Sequence, residues 1–194
     1  MAAVAVVADD LTHADWRAGL PMLRGERLVL RELEVADAAP LLRIAQRPEV
    51  SRYSWPAPSS LEEFARFVQW ARKERFAGKY IGFAVVPKGE AAAAGLFELR
   101  QMQPRFFRAE LGFFVDRSLW GHGIFHEAAR LLIHFATETV HVRRIEARVA
   151  VDNVRSNEAL RRLGAMHEGL LHAAFVRGTD AVDQNLWSVV PPER

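Results

Sequence analysis

The 194-residue chain contains no cysteine. Disulfides, zinc–thiolate sites and a cysteine nucleophile are therefore excluded, and with them any acyl transfer that pauses on a cysteine. It has no marked excess of charge either: 26 basic side chains stand against 24 acidic ones. Composition thus forces no field of one sign, and neither nucleic acid nor an anionic membrane is implied as a partner. No apolar run approaches the length needed to span a bilayer. Met1 to Ala8 is small and apolar, but it has no basic n-region and runs into Asp9 and Asp10, so no signal peptide is read there and a cytoplasmic location is the default. The seven histidines lack H-E-x-x-H or similar ligand spacing, so no metal site is expected.

What remains is an ordinary globular balance, half apolar and about a quarter charged, at a length suited to one domain. Residues 1–24 read as an N-terminal arm and 25–194 as the domain. Alternating patterns predict, in order, a strand over Glu26–Leu33, helices over Val35–Gln46 and Leu61–Ala77, and strands over Tyr80–Val86, Ala93–Arg100 and Phe107–Val115. A helix over Gly123–Thr139, a strand over Arg144–Val151, a short helix over Arg155–Leu163 and two closing strands, Met166–Val176 and Ala181–Val190, complete the order. Ser60 and Glu63 have the spacing of a capping box. The class is α/β.

Three segments carry chemistry. In Val115-Asp-Arg-Ser-Leu-Trp-Gly-His-Gly-Ile-Phe125 a strand ends, a loop with Gly121 and Gly123 follows, and a helix begins. Glycines let a ligand approach the backbone, and the free N–H groups of a helix start favour phosphate; a tight strand-to-helix turn is the plainer reading. The second segment is Asn153-Val-Arg-Ser156, where both side chains suit a helix cap and the Ser156 hydroxyl could instead donate a proton in a cleft. The third is Ala109-Glu110-Leu-Gly-Phe-Phe114, a carboxylate on an otherwise apolar strand, suited to a base or to a solvent-facing edge.

Together Ala109-Glu-Leu-Gly112, Trp120-Gly-His-Gly123, Glu127-Ala128, Asn153-x-x-Ser156, Leu163-Gly164 and Asp183-Gln-Asn-Leu-Trp187 resemble the GNAT superfamily, and within it the ribosomal-protein alanine/serine N-terminal acetyltransferase branch. The resemblance implies the GNAT acyl-CoA N-acyltransferase fold, a mixed and mostly antiparallel sheet flanked by helices and splayed near its middle. It implies acetyl-CoA as co-substrate, no metal, and an amine acceptor, favouring a protein or peptide α-amine over a small-molecule amine or a binding protein without turnover. A homodimer stays open. By the same resemblance Phe114, Val115, Trp120, Gly121, His122, Gly123, Ile124, Phe125 and Asn153 would bind the cofactor, with backbone N–H groups at Phe114 or Val115 facing the thioester oxygen. Phe125 departs from the glycine or alanine usual at its position. The position that often carries a tyrosine acid is Leu160, which leaves Ser156 as acid and Glu110 as base. Tyr53 and Trp55 suit either loop packing or the acceptor cleft. Arg100, Arg105 and Arg108, like Arg143 and Arg144, suit a solvated surface or an anionic ligand. Trp187 suits the core.

Overall fold

A computed structural model describes residues 15–53 and 58–191. Its frame is one eight-stranded sheet in the order β1(Leu23–Arg24), β2(Leu28–Glu32), β3(Tyr80–Pro87), β4(Gly95–Gln101), β5(Arg108–Val115), β6(Arg144–Ala150), β8(Asp180–Val189), β7(Met166–Arg177). Every neighbouring pair is antiparallel except β5 and β6. A parallel pair needs a crossover, and α4(Ile124–Glu138) supplies it.

α4 lies on one face of the sheet with α5(Val154–Leu163). Ile124, Ala128, Leu131, Leu132 and Phe135 of α4 pack with Leu160 of α5 onto Ile81, Phe83, Phe97, Leu111 and Ile145. α1(Ala38–Ala45) and α3(Leu61–Phe76) cover the other face, where Leu41, Phe64 and Val68 meet Leu33, Ala84 and Leu96. A four-residue helix, α2(Pro48–Ser51), joins them, and neither it nor β1 was expected from sequence. Both are too short to show a period. Within the stretch read as an arm, Trp16 and Leu23 are buried, and Trp16 meets Phe106 edge-on at 5.6 Å.

Local signals behave with small variations. Ser60 accepts from the Glu63 N–H at 3.1 Å, as a capping box requires. Glu63 reaches back one residue further, to the Ser59 N–H at 2.6 Å and the Ser59 hydroxyl at 2.7 Å. The predicted helix over Val35–Gln46 opens as a 3₁₀ turn at Val35–Asp37 before α1 begins. Buried Asp37 holds that turn through the Glu34 N–H and a bidentate pair with Arg31, both contacts at 2.7 Å. Val151, expected as the last residue of the strand over Arg144–Val151, is exposed in the turn that follows β6.

The parallel pairing of β5 and β6 stops early. It joins Arg108 to Arg144, Ala109 to Ile145 and Glu110 to Glu146, and no further. Both strands nevertheless run on, braced from outside: Val115 still pairs Gly95 on β4, and Ala150 still pairs Gln184 on β8. The sheet therefore opens as a V. At its apex the buried Glu146 is clamped between Arg108 at 2.9 Å and Arg144 at 2.7 Å, one arginine from each strand, and Arg144 also holds Glu168 at 2.9 Å. Gly95 secures the first arm by close approach. A Cβ there would lie 2.6 Å from the Phe114 carbonyl oxygen, and backbone cannot yield as a side chain can.

Candidate active site

A cleft of about 1170 Å³ fills the V. Single small-ligand pockets run to about 1,000 Å³, so the space suits two reactants side by side. Among its walls are Tyr53, Glu110, Phe114, Val115, Trp120, Phe125, Asn153 and Ser156, eight positions from distant parts of the chain.

The first arm presents backbone. Asp116 N–H donates to Ala94 O at 2.8 Å, which fixes the phase of the ladder. Because N–H and C=O groups alternate sides along a strand, those of Glu110, Gly112 and Phe114 turn to β4, and those of Leu111, Phe113 and Val115 turn into the V. This corrects the expectation for Phe114: its N–H belongs to the ladder, and only its side chain reaches the cleft wall. Val115 faces the gap, and its carbonyl accepts the Trp120 indole N–H at 3.0 Å.

The loop after β5 folds as the glycines allow. Gly121 and Gly123 have φ of 82° and 78°, the left-handed region that disfavours side chains. Gly121, His122 and Gly123 are exposed on this loop. The side chain of Ile124 is core, so that residue offers a ligand only its backbone. Phe125, the bulky departure, turns away from the loop and packs on Phe113 at 4.7 Å and Phe97 at 5.7 Å, forming floor between sheet and helix.

The second arm presents the start of α5. Asn153 is its N-cap and accepts from the Ser156 N–H at 3.2 Å. Capping is therefore done by Asn153, and the Ser156 hydroxyl has no hydrogen-bond partner among the described residues. Arg155 stacks over Trp120 at 4.3 Å, joining the two arms across the entrance.

Glu110 lies on the α1–α3 face of the sheet, beside Arg100 across the ladder. Arg148 of β6 reaches it across the widening gap at 3.6 Å. One strand position away, Glu98 accepts from Tyr80 at 2.5 Å and from Arg100 at 3.0 Å. Burial, with the Glu98 carboxylate adding to it, pushes the Tyr80 phenol well above its usual range, so it stays a donor. Arg100 is thus a cleft residue rather than loop surface, while Arg105 is exposed in a left-handed turn at φ 60°. Arg108 and Arg144 are committed to Glu146.

Segment 47–53 roofs the V. Arg47 pairs with Asp116 at the end of β5 at 3.1 Å, and Arg52 pairs with Asp152 at the end of β6 at 2.9 Å. Tyr53 donates to the Asp152 carbonyl at 3.3 Å while lining the cleft. Trp55 lies outside the described residues. Trp187 is core, as expected. Sequence reading gave no role in the cleft to Arg148, Asp152 or Glu98, whose partners Glu110, Arg52 and Tyr80 lie in other elements. The alternation Arg144-x-Glu146-x-Arg148 was visible but said nothing of which strand would face it.

A sheet opened between two parallel strands, with a glycine loop and helix start at one arm and a capped helix at the other, is matched by comparison. Residues 27–166 fit the family model of the acetyltransferase (GNAT) domain. The chain belongs to the GNAT acetyltransferase family. Its relatives include the N-acetyltransferase p20 of Bacillus licheniformis, 31% identical over 75% of this chain and 83% of that one. The ribosomal-protein-serine acetyltransferase of Escherichia coli is 32% identical over 48% of this chain and 52% of that one. The microcin C7 self immunity acetyltransferase MccE, solved in complex with acetyl-CoA and AMP, superposes with a TM-score of 0.77 at 21% identity, over 86% of this chain and 94% of that one. This GNAT chain is an N-acetyltransferase, and its α+β sheet is the family's. Among its described residues no helix is long and apolar enough to cross a membrane.

Proposed function

We propose that the chain moves the acetyl group of acetyl-CoA to the α-amine of a protein or peptide, in a ternary complex within the V. The carrying observation is the cleft itself, which opens on both faces of the sheet and puts Glu110 and Ser156 in one space. Acetyl-CoA fits the α4–α5 face. There the inward-turned backbone of Leu111, Phe113 and Val115 can pair with its amide-bearing arm, and the helix start at Gly123 favours its phosphates. Bound there, it supplies an acetyl group already activated as a thioester. The amine enters from the α1–α3 face, under Tyr53.

Glu110 accepts the proton that the protonated α-amine loses, so that a neutral nitrogen meets the carbonyl carbon. As the nitrogen bonds and the carbon–sulfur bond breaks, the Ser156 hydroxyl donates to the departing sulfur and is reprotonated, through water, by the proton the nitrogen then sheds. The Val115 N–H, turned into the V, is placed to face the oxygen that gains charge. No metal enters this chemistry. The protein acceptor is favoured by the relative that acts on a ribosomal protein. A small-molecule amine is the second reading, favoured by the MccE structure, which is in complex with AMP as well as acetyl-CoA.

Release of free CoA thiol, followed across a panel of N-terminal peptides and small amines, separates the two. Turnover confined to small amines would overturn the peptide reading. With the acceptor so found, Ser156→Ala lowers kcat about tenfold, the worth of one hydrogen bond of about 1.4 kcal/mol, and leaves the KM for acetyl-CoA nearly unchanged. Unaltered kcat, with chemistry shown to limit turnover, would remove Ser156 from the mechanism.

A further inference from the structure

Asn157, one turn into α5, has no part in the chemistry above, yet its side chain is fully engaged. Its amide nitrogen donates to the carbonyls of Ala150 and Asn153, both at 2.9 Å. Its amide oxygen accepts from Asn185 at 3.0 Å and from the Trp187 indole at 2.9 Å. A primary amide offers two donors and two acceptor sites, so all four are used. The orientation is forced as well, since carbonyls only accept and an indole N–H only donates.

The two carbonyls bracket the turn that leads from β6 into α5, and Asn153 N–H closes that turn onto Ala150 O at 2.9 Å. The turn carries Asp152, which holds Arg52 and Tyr53 of the roof, and Asn153, which caps the helix bearing Ser156. The two donors to the amide oxygen lie on β8, the strand bracing this arm of the V from outside. One side chain thus ties the inner turn to the outer brace.

We propose that Asn157 is a positioning residue that sets the spacing of the second arm for the cofactor, acting through the Ala150–Asn153 turn and not by contact with the reacting atoms. The inference rests on the reading of the cleft as an acetyl-CoA site. It assigns the role to the donor fork on the turn, with the β8 contacts as its anchor.

Asn157→Asp keeps shape and acceptors but sets a carboxylate oxygen against two carbonyls. Asn157→Ala removes the group altogether. Trp187→Phe deletes one anchor contact and leaves the fork. Calorimetric titration with CoA, well below each melting temperature, is the readout, because a merely structural role would lower melting without moving affinity. Both Asn157 variants should bind CoA about tenfold or more weakly. Trp187→Phe should melt lower yet bind within about twofold of the unsubstituted protein. The proposal is overturned if either folded Asn157 variant binds CoA normally, or if Trp187→Phe loses as much affinity as Asn157→Ala. Absence of CoA binding by the unsubstituted protein is a different result, which overturns the reading of the cleft and this inference with it.

Discussion

Glu110→Gln lowers kcat/KM by about 10²-fold or more near neutral pH, and the deficit shrinks as pH rises. The reason lies in the acceptor. A free α-amine has a pKa of about 7.7 to 8, so below that range most of it is protonated and a base at the site has a proton to remove. Above it the amine arrives neutral, and a base contributes less. Glutamine preserves shape and removes only the charge. Glu110 stands on the α1–α3 face with Arg148 3.6 Å away, so it is anchored in the cleft without being sealed from it. A structural role predicts something else: a loss constant across pH and accompanied by a lower melting temperature. Paired pH–rate profiles with one acceptor decide between them. A flat ratio would make Glu110 a positioning residue and leave the amine to lose its proton to water.

Gly123→Val abolishes measurable CoA binding while the protein stays folded. Two effects combine at this residue. Its φ of 78° is left-handed, a conformation that costs a residue with a Cβ roughly 1–2 kcal/mol. The added bulk would also stand where the helix start is open, since a Cβ there meets only the Arg27 guanidinium, 4.0 Å away. That open space is where phosphates would approach the N–H groups. The control is Gly89→Val. Gly89, at φ 87° in the turn between β3 and β4, has nothing within 4 Å of its would-be Cβ and, unlike Gly123, stands at no helix start. It should suffer a similar loss of stability and keep its CoA affinity. Titration calorimetry and melting curves on both variants check this. Normal binding by folded Gly123→Val would move the phosphates elsewhere.

The contrast between these two sites reflects what is local and what is not. Gly121 and Gly123 were legible because a strand-to-helix loop is written in consecutive residues, and their left-handed backbone follows from the chemistry of glycine. Asn153 as a cap was legible for the same reason. Phe125 was visible as a departure, but its accommodation depends on Phe113 and Phe97, which approach it from two other strands. Asn157 looked like one more polar residue in a short helix. Its partners Asn185 and Trp187 lie 28 and 30 residues away.

The sequence by itself determined the order of the longer strands and helices, because side-chain periodicity, caps and turn residues act over a few positions. It also carried the family resemblance, because the motifs are short and keep their spacing. Only the tertiary structure decided that the pairing of β5 and β6 ends at Glu110 and Glu146. It alone set Glu110 on the α1–α3 face and Ser156 at the other arm, and turned the backbone of Phe113 and Val115, not Phe114, into the gap. These outcomes depend on which strand lies beside which, and at what register. Strands far apart in the chain settle that jointly, through packing on both faces and the clamp of Arg108 and Arg144 on Glu146. No single stretch of residues contains it.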